Sequence, residues 1–204
     1  IRDAQESRGL GDVYKRQSRD FRAELGLEDR FVIAFTGRLI PEKGIDAIIE
    51  ASSDPRLQER EVVFLLVGDG PLISKAKEAE GDYLHALGRL DSTDVASLLL
   101  QSDALCLPTR SEGFSTTPLE AAACGCPAIV TNVGGARELI PTGECGTIIP
   151  DMSADSIIEA VAALTDNRAL LERQGANCAR WVRETCSWST TADALEEAWH
   201  KADL

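Results

Sequence analysis

Ala104-Leu105-Cys106-Leu107-Pro108, followed by Ser111-Glu112-Gly113-Phe114-Ser115-Thr116-Thr117-Pro118-Leu119-Glu120, is the stretch that decides how this chain folds. Its apolar first part reads as a buried strand, and residues 119–124 read as a short helix stopped by Gly125. Strand, loop and helix start therefore meet in one short span. Thr117 suits the N-cap and Pro118 the first helical position, where a missing N–H costs nothing. The open amides of that first turn, with the positive end of the helix dipole, favour an anion in front of them. Glu112 and Glu120 flank the spot. Carboxylates accept hydrogen bonds from sugar hydroxyls while amides take phosphate oxygens, so the pair suits a ligand carrying both. The same residues admit a structural reading, in which Thr117-x-x-Glu120 is a capping box and Glu112 an ordinary loop acid.

Outward from this stretch, short apolar runs alternate with amphipathic segments. Residues 31–37, 62–68, 83–88, 104–109, 128–132 and 146–150 read as strands, several apolar throughout, as in parallel sheets covered on both faces. Residues 44–52, 71–80, 92–101, 118–124 and 136–139 read as the intervening helices. After Pro150 the pattern turns helical, over 154–165, 168–185 and 189–202, and Ile157, Ile158, Val161 and Leu164 form a core-facing stripe. The alternation predicts an α/β fold, a doubly wound parallel sheet of Rossmann-like type, whose ligands bind beyond the carboxyl ends of the strands.

The loop after the first strand, Gly37-Arg38-Leu39-Ile40-Pro41-Glu42-Lys43-Gly44, brings two cations to one turn of an acidic chain. Solvated loop charges are the ordinary fate of Arg and Lys. The loop after the second strand, Gly68-Asp69-Gly70-Pro71, is a tight turn with Pro71 placed to open a helix, and it lacks the third glycine of a dinucleotide fingerprint. Gly134-Gly135 reads as turn geometry and Glu138 as a structural acid early in a helix. His85, within a strand, and His200, near the end, read as structural and solvated residues respectively. No His-Glu-x-x-His, Asp-x-Asp or P-loop pattern occurs.

With 21 Lys and Arg against 34 Asp and Glu, the formal charge is −13, which argues against a nucleic-acid partner. Six cysteines, Cys106, Cys124, Cys126, Cys145, Cys178 and Cys186, contain no CxxC pair, and reduced thiols are expected. Cys124-x-Cys126 lacks the second ligand pair that a zinc site needs. No apolar run approaches the ~20 residues of a membrane span. Residues 1–17 begin without Met, carry no sustained period and resemble translated sequencing-adaptor sequence, so they are set apart from the domain at 18–204.

Ser-Glu-Gly-Phe-Ser-Thr-Thr-Pro-Leu-Glu, with seven residues between Glu112 and Glu120, closely resembles the paired-glutamate motif of retaining family-4 glycosyltransferases of the GT-B fold. The Gly-Arg…Lys-Gly loop is similar to the phosphate-binding segment of that family. The resemblance runs from about Phe31 to Trp199 and implies the C-terminal, donor-binding domain of such an enzyme, with an N-terminal acceptor domain missing from the chain. It implies a UDP-, GDP- or ADP-sugar as donor, with no separate cofactor and no metal. Arg38 and Lys43 would contact the diphosphate, Glu112 the donor sugar and Glu120 the ribose. The amides of Gly113, Phe114, Ser115 and Thr116 would orient the sugar, and Gly68, Gly70, Gly88 and Arg89 would lie near the nucleotide. The acceptor would be a glycan, a lipid-linked molecule or a small molecule. Location would be cytoplasmic, with peripheral attachment of the full-length enzyme at the inner membrane face one option. A non-catalytic nucleotide-sugar-binding domain and a nicotinamide-dependent Rossmann oxidoreductase are the alternatives.

Overall fold

All six expected strands form a single parallel sheet in the order β3-β2-β1-β4-β5-β6. The structure, a computed structural model, describes residues 19–113, 115–140 and 143–186. The strands are β1 (Phe31–Thr36), β2 (Val62–Val67), β3 (Leu84–Gly88), β4 (Ala104–Leu107), β5 (Ala128–Thr131) and β6 (Gly146–Ile149). Every residue of β1, β2, β4 and β5 is buried, whereas β3 and β6 are partly exposed. That split follows from position: inner strands are covered by helices on both faces and tolerate only apolar side chains, while the edges meet solvent.

The helices are α1 (Phe21–Leu25), α2 (Ile45–Ser52), α3 (Pro55–Gln58), α4 (Ile73–Glu78), α5 (Ser92–Gln101), α6 (Thr117–Ala123), α7 (Ala136–Leu139), α8 (Ala154–Thr165) and α9 (Arg168–Thr185). A 3-10 turn, Pro41–Lys43, precedes α2. Helices α2, α3 and α8 pack on one another, and α1, α5, α6 and α9 form a second group. Right-handed crossovers place the two groups on opposite faces, because the sheet grows from β1 toward β3 and from β4 toward β6. The strand order reverses between β1 and β4. There the loops leaving the two strands diverge to opposite faces and open a crevice at the carboxyl end of the sheet.

Several boundaries differ from expectation for local reasons. Helix α4 begins at Ile73 and not at Pro71, because the chain is first tied down: Leu72 N–H donates to Leu39 O at 3.0 Å and Ile73 N–H to Gly70 O at 3.0 Å. Helix α6 starts at Thr117, with Thr116 as N-cap in place of the expected Thr117, and Pro118 lies within its first turn. The short α1 and α3 have no counterpart among the expected helices, since four or five residues are too few to show a 3.6-residue period. Each is marked by an Asp cap instead: Asp20 accepts from Ala23 N–H, and Asp54 from Arg56 N–H. The α8 stripe of Ile157, Ile158, Val161 and Leu164 is buried as expected. Residues 1–17, Phe114 and the expected helix at 189–202 lie outside the described residues.

Candidate functional site

An open cleft of about 790 Å³ lies beyond the carboxyl ends of β1 and β2, at the reversal of strand order. Arg38, Gly68, Gly70, Arg89, Thr117 and Glu120 are among its walls. Arg38, Arg89 and Glu120 are exposed, and the side chains of all three form no hydrogen bond or ion pair with any described residue. The capping-box reading of Glu120 is therefore not realised. Its amide donates to Thr116 O at 2.9 Å, as in any helical turn, while its carboxylate stands open to the cleft. Thr116 makes no side-chain capping bond either. The cleft thus offers two cations, the unpaired carboxylate of Glu120, the carboxylate of Asp69, which accepts from Gly70 N–H at 2.7 Å, and the start of a helix to whatever enters.

Gly68 and Gly70 line this cleft, but their first duty is structural. At Gly68 the β2 exit crosses the β1 exit so closely that an added Cβ would lie 1.7 Å from Gly37 O. The crossing is stitched by Gly37 N–H to Val67 O at 3.0 Å and Leu39 N–H to Asp69 O at 2.9 Å. This fixes the turn that carries Arg38. Gly88 ends β3 and accepts at its carbonyl from Gly68 N–H at 2.8 Å, so it stands behind the crossing and not on the cleft wall.

Glu112 lies one step along the same edge. Its carboxylate pairs with the Lys43 ammonium, and the two side chains are 25% and 20% exposed. Together with Gly113 and Ser115, Glu112 borders a small recess over β4 and β5 that is separate from the large cleft. The sequence places Arg38 and Lys43 together on one loop and leaves both glutamates at the helix tip. The structure regroups them: Arg38 faces the cleft with Glu120, and Lys43 turns to Glu112. The loop of Glu112 is pinned from β5. Gly135 N–H donates to Gly113 O at 3.1 Å, and a Cβ on Gly134 would lie 1.9 Å from Glu112 O, so only glycine permits this approach.

Two residues of the site carry no motif. Thr109, just after β4, and Thr131, the last residue of β5, are each 3% exposed. The Thr131 hydroxyl donates to Thr109 O, and the Thr109 hydroxyl lies between the loops that carry Lys43 and Glu112. The only trace in the sequence is a hydroxyl at the end of an apolar run. That pattern is common at strand ends, so the pairing of Thr109 with the β1 loop was not legible.

Elsewhere, burial pushes the thiols of Cys106 and Cys178 up to about 12, and that of Cys126 well above its usual value. His85, half-buried in β3, has its pKa lowered by desolvation, opposed by Glu80 and Asp82. Among the described residues no group of three or more His, Cys, Asp or Glu side chains is arranged to hold a metal ion, and no helix is long and apolar enough to cross a membrane.

Residues 17–181 match the family model described as "Glycosyl transferases group 1". Alpha-D-kanosaminyltransferase of Streptomyces kanamyceticus is 28% identical over 190 residues, which cover 91% of this chain and 49% of the relative. MMP alpha-(1->4)-mannosyltransferase of Mycolicibacterium hassiacum is 28% identical over 176 residues, covering 84% and 43%. Among solved structures, sucrose-phosphate synthase from Thermosynechococcus elongatus superposes with a TM-score of 0.75 at 24% identity, over 89% of this chain and 48% of that one. Anabaena HepE, in complex with UDP-glucose, gives 0.74 at 21%, over 96% and 53%. At such identities the structural likeness speaks for the fold alone. The chain spans about half the length of these relatives.

Proposed function

The chain belongs to the group 1 glycosyl transferases, and on that footing we propose that it is the donor-binding half of a glycosyltransferase that moves a sugar from a nucleoside-diphosphate sugar to an acceptor with retention at the anomeric carbon. The observation that carries the reading is the pair Arg38 and Glu120. Both line one cleft at the reversal of strand order, and neither carries a charge spent on another described residue. An unpaired guanidinium suits a phosphate oxygen, and an unpaired carboxylate suits the paired hydroxyls of a ribose. The relatives named above are transferases of sugars, and HepE, alike in fold, holds UDP-glucose.

In this reading the nucleotide lies along the cleft, with its ribose hydroxyls on Glu120 and its base beside Arg89 and Leu90. Arg38 meets the diphosphate. Lys43 reaches the same diphosphate from the side of Glu112, and Glu112 accepts hydrogen bonds from the donor sugar. As the bond between the anomeric carbon and the diphosphate oxygen breaks, negative charge grows on that oxygen. Fixed cations aimed at it stabilise the transition state more than the ground state, the role that metal ions fill in other transferases. The acceptor enters from a second domain, for which this chain supplies only one wall.

Calorimetric titration of the chain with UDP, GDP, ADP and NAD in parallel tests the reading. One nucleoside diphosphate is expected to bind, and its glucose or mannose conjugate to bind as well. Binding of NAD with no response to any nucleoside diphosphate would instead place the chain among dinucleotide-binding domains. The turn Gly37-Arg38-Leu39 speaks against that outcome, because it lacks the glycine spacing that lets a backbone approach a dinucleotide pyrophosphate.

A further inference from the structure

The Thr109 hydroxyl oxygen lies 3.0 Å from Glu42 O and 3.1 Å from Ser111 O. The two carbonyls belong to different loops. Glu42 immediately precedes Lys43 in the turn after β1, and Ser111 immediately precedes Glu112 in the loop after β4. A hydroxyl carries one proton, so it donates to either carbonyl and holds both within its reach. The neighbouring backbone closes the same joint: Arg110 N–H donates to Glu42 O at 2.8 Å. From the third side, the Thr131 hydroxyl on β5 donates to Thr109 O. The carboxyl ends of three adjacent strands, β1, β4 and β5, thus meet at one buried residue, the β1 and β4 loops at its hydroxyl and β5 at its backbone carbonyl.

A threonine that served only its own turn would stop at Ser111 O. This one spans 67 residues of sequence to Glu42, next to the ion pair of Lys43 and Glu112 that spans 69. Lysine and glutamate are long and flexible, so what fixes the ends of their side chains is the placement of the backbone from which each grows. We infer that Thr109 is a positioning residue: its hydroxyl sets the spacing between the Lys43 turn and the Glu112 loop. It thereby sets the spacing between the cation offered to a donor's diphosphate and the carboxylate offered to its sugar. The inference rests on the roles given above to Lys43 and Glu112, and it acts through them. Displacements well under the length of a bond are costly where two groups must grip one ligand at once.

Two substitutions separate the hydroxyl from the shape. Thr109→Val keeps the volume and removes the donor, whereas Thr109→Ser keeps the donor and removes a methyl group. Each variant is titrated with UDP, GDP, ADP and their glucose conjugates, and its melting temperature is recorded. Thr109→Val is expected to bind the sugar conjugate about fivefold more weakly, the worth of one hydrogen bond, with Thr109→Ser within about twofold of the parent chain. The serine variant should nevertheless melt lower than the parent, because a buried methyl is lost. Should Thr109→Val fail to fold, Thr109→Ala against Thr109→Ser poses the same comparison. Unchanged binding in the variant without the hydroxyl would overturn the inference, and so would affinities that fall in step with melting temperature in all variants. A parent chain that binds no nucleoside diphosphate would remove the reading of the site and this inference with it.

Discussion

The two ends of strand β4 treat charge in opposite ways. At the amino end, Asp103 is 12% exposed and fully engaged. Its carboxylate accepts from Arg22 Nη2 at 2.8 Å, Val32 N–H at 2.8 Å and Arg168 Nη1 at 2.9 Å. This knot ties α1, β1, β4 and α9 together, and Cys126 lies close to it. At the carboxyl end one pair, Lys43 with Glu112, is matched, but Arg38, Arg89 and Glu120 face one cleft with no partner among the described residues. Charges that hold a fold together are matched inside it, because an unpaired buried charge is costly. Charges left open on a crevice wall remain available to a ligand. The contrast between the two ends is the strongest sign of which end does the work.

The largest effect is expected at alkaline pH, in the core that lies between the two ends. The thiols of Cys106 and Cys178 are raised to about 12 by burial, from an ordinary value near 9. A pKa raised in the folded state favours the protonated, folded form, so stability is intact below pH 9 and falls as pH rises from about 9 toward 12. Melting temperatures measured across that range should decline steeply, and the decline should be smaller in a Cys106→Ala, Cys178→Ala chain once its lower starting stability is subtracted. A flat profile would show that these thiols are not sealed in the core between the two ends.

Asp103→Ala comes next in size. It leaves Arg22 Nη2 and the Val32 amide without their acceptor and should cost about 3 kcal/mol, read as a lowered denaturation midpoint. The variant that remains folded should bind nucleotide as the parent does. Arg38→Ala is the mirror experiment at the open end. It should weaken nucleoside diphosphate binding by about tenfold or more, a charge-assisted contact, with a melting temperature close to the parent's. If Arg38→Ala were to destabilise the fold, or Asp103→Ala to abolish binding in the folded protein, the division between the two ends would fail.

The strands were readable from the chain because each inner strand is a short apolar run bounded by turn residues, and Val62–Val67 is buried throughout, as a strand covered on both faces must be. The cleft loops were readable because ligands of such sheets bind at strand exits, which singled out Arg38, Gly68 and Glu120. The start of α6 was misplaced by one residue, since Thr116 and Thr117 carry the same side chain and the choice between them is made by backbone angles. The α1 helix escaped notice because its anchor, Arg22, finds Asp103 at a separation of 81 residues. No local pattern announces such a partner.

The chain by itself determined the alternation of strand and helix, the burial of the sheet and the set of charged residues delivered to the strand exits, since all of these follow from side-chain periodicity over a few residues. Only the tertiary structure decided which of those charges meet. The placement of β1 beside β4 brings Lys43 to Glu112 and Thr109 to Glu42. It also leaves Arg38 and Glu120 facing the same open space. Strand neighbours far apart in sequence are chosen by the packing of the whole sheet, and side chains are paired or left free according to that choice.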